Sequence, residues 1–488
     1  MTEIGIRIPL IDALEKVTGS LKYGSGFKLP GMHYGKVLRS RLLHARIVSI
    51  DATRARRLSG VKAVAMGLEE QLPIYPIKGE RYPDERLLDV EEVRYIGDEV
   101  AAAAAIDLEA AAEALKRIRV EYEKLSAVMD PAETMKEGAP QVHLNVERNI
   151  ARTIQIRHGD VDSAFWESDA VVEGTFKTPF VQQACREPHT TVAQWDSHGK
   201  VTLWIPTRSP TLARMTYANA LGGSRDKIRI IQMPMGGTFG GKLEYKLHPL
   251  CVLLARKANA PVKMTDTREE EFAASLPRVP MILKMKAGCR KDGTLLGKHA
   301  EIIADNGADL NYRPGIRLSA TIRHDNFYRP RHVRTDSYLV YTNEVPTGCF
   351  REFGCIQSFF AFESLIDMLA HEIQMDRAEF RLKNASQTGD LTPHRWILGS
   401  CGLSEVITKS MEKADWHHKR VSLPTKGSPD AAYGIEIACS LHISGNRSFF
   451  SPFSTVPPQR CGSTKKARCW LMWENPISAM DPKRLSHS

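Results

Sequence analysis

The chain has 488 residues, 42% hydrophobic and 25% charged, which predicts roughly two to four globular domains with sizeable cores. Its net charge of +10 is spread along the chain, so acidic ligands are favoured and a nucleic-acid-binding surface is not predicted. The nine cysteines are dispersed and form no C-x-x-C pair, which argues against a cysteine-bound zinc or iron–sulfur site in this chain.

The N-terminal region predicts a small α/β unit over residues 12–125. Its first residues, MTEIGIRIPLIDA, carry no signal pattern, and no run of about 18 apolar residues follows, so we expect a cytoplasmic chain without a transmembrane helix. Strands are predicted over 47–50, 100–106 and 118–122. Asp107 is a good N-cap for an alanine-rich helix over 108–118. A linker follows over residues 126–149.

Residues 150–385 predict a second mixed α/β domain. A helix is expected over 209–221, and strands over 170–176, 191–195, 201–205 and 228–232. The last of these strands leads into a turn with four glycines, followed by a helix over 243–257 in which Pro249 introduces a kink. The glycines are Gly236, Gly237, Gly240 and Gly241.

The glycine-rich stretch is the first candidate site. Backbone without Cβ atoms can approach a ligand closely, and a turn between a strand and a helix presents free N–H groups to an anion. Lys242 adds a positive charge, so we predict a phosphate- or cofactor-binding turn. Two alternatives are a purely steric turn and a nucleotide-binding P-loop. The second lacks its magnesium-binding Ser/Thr, because Leu243 stands there, and 301–305 (EIIAD) is only a weak match to the acidic strand that it would need.

The second candidate site is the stretch 348–357, GCFREFGCIQ. It opens a helix whose apolar residues recur at helical spacing as far as Ile373. Arg351 precedes the helix between two phenylalanines, and its fork of donors can bind a phosphate or a pterin-like heterocycle. A plain surface arginine is the alternative.

The C-terminal part is less regular. Helices are predicted over 376–385 and 403–414, and a strand over 433–443. His417 and His418 are interpreted as a solvated pair rather than as metal ligands. Residues 447–488 show no sustained helical or strand period. We expect this tail to be non-native or disordered, with the native reading frame lost near 447–454.

Five stretches resemble the molybdenum-binding large subunit of the xanthine dehydrogenase/oxidase family, which is related to the large subunits of 4-hydroxybenzoyl-CoA reductase and carbon monoxide dehydrogenase. They are DALEKVTGSLKYGSGFKLPGMHYGKVLRS, RYIGDEVAAAAA, REPHTTVAQWD, MGGTFGGK and TGCFREFGCIQSFFAFESLIDMLAHE. The resemblance covers roughly 12–445. It implies a mixed α/β (α+β), multidomain fold, divided into a hammerhead-type α/β domain (12–125), a linker (126–149), a first molybdopterin-binding domain (150–385), the start of a second (386–446), and the aberrant tail (447–488).

The resemblance also implies an activity. Members hydroxylate a heterocycle or an aldehyde, or act on an aromatic thioester, at a molybdenum–molybdopterin cofactor that also occurs as a cytosine dinucleotide. Electrons leave through an iron–sulfur small subunit and an FAD-binding medium subunit, so a hetero-oligomer with a small-molecule substrate is expected. No nucleic-acid or membrane partner is implied.

The implied site residues fall on both candidate stretches. Cofactor contacts are expected from Gly236, Gly237, Phe239, Gly240, Gly241 and Arg351, with Gln182 or Gln183 near a molybdenum ligand. Substrate contacts are expected from Glu244 and Phe353, although Leu243 displaces Glu244 by one position, and Glu352 stands where glycine is common. No side chain is predicted to ligate the metal. The family's general-base glutamate and second pterin loop belong to a further C-terminal half. We therefore expect a truncated chain that is inactive alone, or a non-catalytic assembly fragment.

Overall fold

The structure is a computed structural model that describes residues 7–74, 84–243, 246–310, 313–422 and 433–441, and two short strands beyond them. Glu244 and nearly all of the tail over 447–488 lie outside the described residues.

Fourteen helices and seventeen strands are assigned in the described residues. The helices are α1 (Ala13–Val17), α2 (Thr53–Arg56), α3 (Gly67–Glu70), α4 (Leu108–Arg117), α5 (Pro131–Thr134), α6 (Val161–Trp166), α7 (Pro210–Ala220), α8 (Leu247–Ala258), α9 (Arg268–Ala274), α10 (Arg313–Arg323), α11 (Cys355–Glu372), α12 (Arg377–Asn384), α13 (Leu403–Ala414) and α14 (Trp416–Ser422). The strands are β1 (His33–Arg39), β2 (Ala45–Asp51), β3 (Val61–Met66), β4 (Glu92–Val93), β5 (Glu99–Ala105), β6 (Arg119–Lys124), β7 (Ile150–His158), β8 (Ala170–Thr178), β9 (Thr190–Trp195), β10 (Val201–Ile205), β11 (Ile228–Gln232), β12 (Val262–Thr265), β13 (Met281–Cys289), β14 (Leu295–Gly307), β15 (His332–Tyr341), β16 (Gly462–Ser463) and β17 (Cys469–Trp470).

A seven-stranded sheet in the order β11-β10-β9-β12-β1-β5-β3 joins the N-terminal region to the middle of the chain. Strand β1 pairs antiparallel with β5 and parallel with β12, where His33 lies opposite Val262. The alanines of β5 are fully buried, and alternate ones belong to cores with α8 on one face and α4 on the other. Small side chains let both helices approach this central strand closely.

A second, five-stranded sheet has the order β7-β15-β14-β13-β8, and α11 lies across β13 and β8. The buried face of α11 carries most of the apolar residues that predicted a helix here, although Phe360 is exposed, and the predicted helix is confirmed. A smaller sheet, β4-β2-β6, completes the N-terminal region. Together these sheets make a mixed α/β protein.

Several local predictions are confirmed by the element bounds. Strands β10 and β11 coincide with the predicted ranges, and α4 begins after Asp107, whose Oδ1 accepts from the N–H of Ala110 at 2.7 Å. The strand predicted over 433–443 is wrong for its described part, 433–441, which is not in a sheet. There the N–H of Cys439 donates to Glu363 Oε2 at 3.0 Å, so a buried side chain takes the place of a neighbouring strand.

The helix predicted over 243–257 begins later than expected. Helix α8 starts at Leu247, so Pro249 lies in the first turn, where a missing N–H leaves no helical hydrogen bond unmade. The predicted kink is therefore wrong. The delayed start also separates the helix N-terminus from the last glycine of the turn, Gly241.

Asp305 on β14 makes the stability of the fold depend on pH. Burial raises its pKa from 3.8 to about 7, although Oδ1 accepts from the Gly307 N–H at 2.9 Å and the Thr342 hydroxyl at 2.7 Å. Because the folded state holds this proton more tightly than the unfolded state, stability falls as pH rises from about 4 to about 7. We expect Asp305→Asn to raise the free energy of unfolding at pH 8 by on the order of a few kcal/mol and to flatten this pH dependence.

Urea denaturation at pH 5 and pH 8 measures this effect, with the exposed Asp226→Asn as control. A variant at Asp305 that is less stable than the wild type at pH 8 would contradict the assignment.

Candidate cofactor site

The glycine turn follows β11 and adopts backbone conformations that ordinary residues rarely occupy. Gly237 and Gly240 have φ of +101° and +107°, and Phe239 between them has φ of +46°. A Cβ atom on Gly240 would lie 2.6 Å from the carbonyl oxygen of Cys349. Glycine is required at this position because the turn touches the backbone of another segment.

That other segment is the loop before α11, so the two predicted stretches meet. The N–H of Arg351 donates to the carbonyl of Phe239 at 2.8 Å. Gln183 lies between them, since its Nε2 donates to the carbonyls of Cys349 at 2.9 Å and Leu276 at 2.8 Å, and a Cβ on Gly241 would lie 3.1 Å from its Cδ. The amide of Gln182 instead donates to the Glu271 carbonyl at 2.5 Å and to Ser275 Oγ at 2.7 Å.

The loop before α11 is also strained. Glu352, Phe353 and Gly354 have φ of +74°, +51° and +91°, three successive residues in the left-handed region. Each non-glycine residue there costs on the order of 1–3 kcal/mol, and such conformations concentrate at binding sites. Phe353 contacts the core of the five-stranded sheet. The sequence gives no sign of this strain, because glutamate and phenylalanine do not favour positive φ.

Four aromatic and cationic side chains surround the junction of the two turns. Phe239 is 49% exposed and the Arg351 side chain 60% exposed, with the Arg351 Nε 3.9 Å from Glu352 Oε1. Arg278 was not predicted from the sequence to belong to the site. Its guanidinium lies 4.1 Å from the Phe350 ring centroid and donates to the Arg351 carbonyl at 3.3 Å. Only tertiary structure brings Arg278 here, since it follows α9, far from either stretch.

The turn presents polar groups that suit a bound ligand. Within the part of the chain that the structure describes, the N–H groups of residues 237–240 form no hydrogen bond, and the buried Thr238 Oγ1 has no partner. Backbone donors of this kind fit the oxygen and nitrogen atoms of a pterin or a phosphate. A molybdopterin cofactor is therefore compatible with the donors that the turn offers.

Lys242, in contrast, cannot offer its positive charge to an anion as predicted. Its side chain is fully buried, and its Nζ donates to Glu187 Oε2 at 2.8 Å. The prediction that Lys242 offers its charge to an anion is wrong, because that charge is already paired. The P-loop alternative needs this lysine at the phosphates. The structure does not favour it.

One group of buried side chains has the donor types of a metal site. Ligand atoms of His189, Asp266 and Glu271 lie within 4.8 Å of one another. However, His189 Nδ1 lies 2.9 Å from Glu271 Oε1, and Nε2 lies 3.0 Å from the Gly241 carbonyl oxygen. Both ring nitrogens are thus engaged with protein acceptors, and Asp266 Oδ1 lies 3.6 Å from Arg39 Nη2, so protein contacts occupy most of the ligand atoms of the group. His417 and His418 are exposed on α14, as predicted for a solvated pair.

Two family models match the chain. Residues 142–385 match the molybdopterin cofactor-binding domain, and residues 18–126 match the aldehyde oxidase and xanthine dehydrogenase a/b hammerhead domain. The nicotinate dehydrogenase large molybdopterin subunit of Eubacterium barkeri is 36% identical over 410 residues, covering 83% of this chain and 94% of that protein. The chain belongs to the molybdenum-binding large subunits of the xanthine dehydrogenase family. The predicted family and the mixed α/β fold are confirmed, and the chain is a molybdopterin-dependent oxidoreductase subunit.

Two further similarities show how much of a relative this large subunit spans. A probable xanthine dehydrogenase subunit of Bacillus subtilis (strain 168) is 36% identical over 399 residues, 81% of this chain and 53% of that protein. The aldehyde oxidoreductase structure from Desulfovibrio gigas has a TM-score of 0.80 at 26% identity, over 86% of this chain and 47% of that one. The large subunit spans about half the length of these two relatives. None of its described helices combines the length and apolar character needed to cross a membrane.

Proposed function

We propose that this large subunit binds molybdenum–molybdopterin at the junction of the glycine turn and the Arg351 loop, in an enzyme that oxidatively hydroxylates a small heterocycle. The observation that carries the proposal is the hydrogen bond from the Arg351 N–H to the Phe239 carbonyl, which joins both predicted cofactor stretches beside unpaired polar groups. Relatives named for nicotinate and xanthine favour a nitrogen heterocycle over an aldehyde or an aromatic thioester.

When bound, the cofactor supplies a centre that accepts two electrons while water provides the oxygen atom. The chain's own residues hold and orient it. The N–H groups of residues 237–240 and Thr238 Oγ1 donate to it, and Arg351 offers its exposed fork of donors from the other turn. Gln183 fixes the Cys349 carbonyl and thereby the spacing of the two turns. In this proposal Phe353 and Glu244 contribute to substrate binding.

Electrons then leave through partner subunits that carry iron–sulfur clusters and FAD, within a cytoplasmic hetero-oligomer. The relatives' names, which call them subunits, support an assembly of several chains. The pterin carries a cytosine dinucleotide in one version of this proposal. We further propose that the isolated chain does not turn over, because the electrons taken from the substrate need the acceptors that the partner subunits carry.

The metal content of the purified chain tests the site. Produced in a host that makes molybdopterin, the wild type should carry about one molybdenum per chain. Arg351→Ala should lower this about tenfold, since a charge-assisted contact contributes about 1.5–3 kcal/mol. Arg214→Ala, an exposed arginine on α7, is the control and should retain the metal. A folded wild type without molybdenum would overturn cofactor binding by the chain alone, and full metal content in Arg351→Ala would remove that residue from the site.

A further inference from the structure

We propose that Glu187 is a positioning residue that sets the glycine turn before the cofactor arrives and ties that setting to the N-terminal region. The inference rests on the proposed function, because the turn is taken as the cofactor-binding element. The inference concerns the contacts between the turn and segment 187–189, and not the N–H groups of the turn that face the cofactor.

The Glu187 carboxylate, in a residue that is 7% exposed, holds both ends of the turn on one oxygen. Its Oε2 accepts from the N–H of Gly236 at 2.8 Å and from Lys242 Nζ at 2.8 Å. The N–H of Glu187 also donates to the Gly236 carbonyl at 3.1 Å. A Cβ on Gly236 would lie 2.6 Å from Glu187 Cβ, so the glutamate lies directly against the turn.

Charge explains why a carboxylate is used. Lys242 is buried, and a buried ammonium without a partner is costly. The carboxylate neutralises it while accepting the Gly236 N–H, so one group satisfies the first and last residues of the turn. A neutral amide at position 187 would turn its NH₂ group either toward Gly236 and Lys242 or toward the N–H of Gly24, which donates to Oε1, and in both cases Lys242 would lose its countercharge.

His189 holds the far end of the turn from the same segment. Its Nε2 lies 3.0 Å from the Gly241 carbonyl oxygen, and its Nδ1 is oriented by Glu271 at 2.9 Å. Segment 187–189 thus engages residues 236, 241 and 242, but none of the N–H groups of residues 237–240. The polar groups at the ends of the turn therefore fix its position, and the N–H groups in its middle remain for a ligand.

The other carboxylate oxygen reaches the N-terminal region. Glu187 Oε1 accepts from the N–H of Gly24 at 3.1 Å, in the short 3₁₀ helix Gly24–Gly26 that precedes β1. The same side chain therefore links this N-terminal segment to the turn. Loss of the carboxylate should loosen both segments together.

Hydrogen exchange of the cofactor-free full chain tests this directly. In Glu187→Gln, the hydrogen-bonded amides in a peptide spanning 233–243, Gly236 among them, should exchange about tenfold faster or more, because they lose a bond to a charged group or the turn that holds them. A peptide spanning 20–30 should change with it. Glu412→Gln, an exposed glutamate on α13, should change neither peptide. Molybdenum content of the variant, made in a molybdopterin-producing host, should fall in parallel.

The double variant Glu187→Gln/Lys242→Met separates positioning from general stability. It removes the unpaired buried charge, so its melting temperature should return toward the wild type, while the turn peptide still exchanges fast and metal content stays low. Slow exchange of the turn in Glu187→Gln would overturn the inference, as would full recovery of both readouts in the double variant. If the single variant fails to fold, the double variant decides. A wild type without molybdenum would count against the proposed function alone, since the exchange experiment needs no cofactor.

Discussion

Gly240→Ala should lower the molybdenum content of the large subunit by about tenfold or more while leaving the protein folded. The added Cβ would lie 2.6 Å from the Cys349 carbonyl oxygen, which is backbone and cannot rotate away. The glycine turn and the Arg351 loop would have to separate, and the hydrogen bond between Arg351 and Phe239 would lengthen or break. A misplacement of about 1 Å is enough to cost much of the binding energy at a preorganised site.

Gly199→Ala is a matched control for this change. Gly199 also has positive φ, +71°, but no atom lies within 4 Å of a Cβ built there. Both variants should lose about 1 kcal/mol of stability from the left-handed backbone, and only Gly240→Ala should lose the metal. Molybdenum and organic phosphate per chain give the comparison. Equal metal content in the two variants would show that the close approach at Gly240 is not needed for cofactor binding.

Arg381→Met should destabilise the fold by about 3–5 kcal/mol, the cost of leaving a buried charge unpaired. The Arg381 side chain is completely buried, and its Nε and Nη2 donate to Glu363 Oε2 at 2.8 and 2.7 Å. Its Nη1 donates to Asp367 Oδ1 at 2.8 Å. Glu363 also accepts from the Tyr328 hydroxyl at 2.7 Å, so the arginine anchors α12 to a network on α11.

Urea denaturation at pH 7 measures the loss. Burial raises the pKa of Glu363, so without Arg381 we expect this carboxyl to take up a proton and part of the loss to disappear at acid pH. Arg381→Met/Glu363→Gln should recover most of the stability because no unpaired charge remains. A single variant within about 1 kcal/mol of the wild type would mean that water reaches Glu363.

The sequence predicted best those elements whose signal is local. Helix α4 follows a good N-cap, α11 repeats apolar residues at helical spacing, and β10 and β11 are short β-branched runs between turns. The predicted start of α8 was wrong for a physical reason. Leu243 continues the helical spacing upstream of Leu247, but its side chain lies against the core of the five-stranded sheet and not on the helix.

The sequence likewise predicted only part of the candidate site. The glycines and Arg351 stand out by composition, whereas their partners do not. Lys242 could be read as a ligand group because Glu187, which neutralises it, lies far upstream in the sequence. Arg278 has no motif at all and reaches Phe350 through the tertiary fold. Whether a charge is available to a ligand depends on such distant partners, so local pattern cannot decide it.

The mixed seven-stranded sheet has a consequence for synthesis on the ribosome. Strand β1 finds β5 soon after it is made, but its parallel neighbour β12 follows only about 230 residues later. At about 5–20 residues per second, the nascent chain waits on the order of 10–50 seconds with one side of β1 open. An open strand edge readily pairs with other chains, so the nascent chain is exposed to aggregation through β1 during this interval.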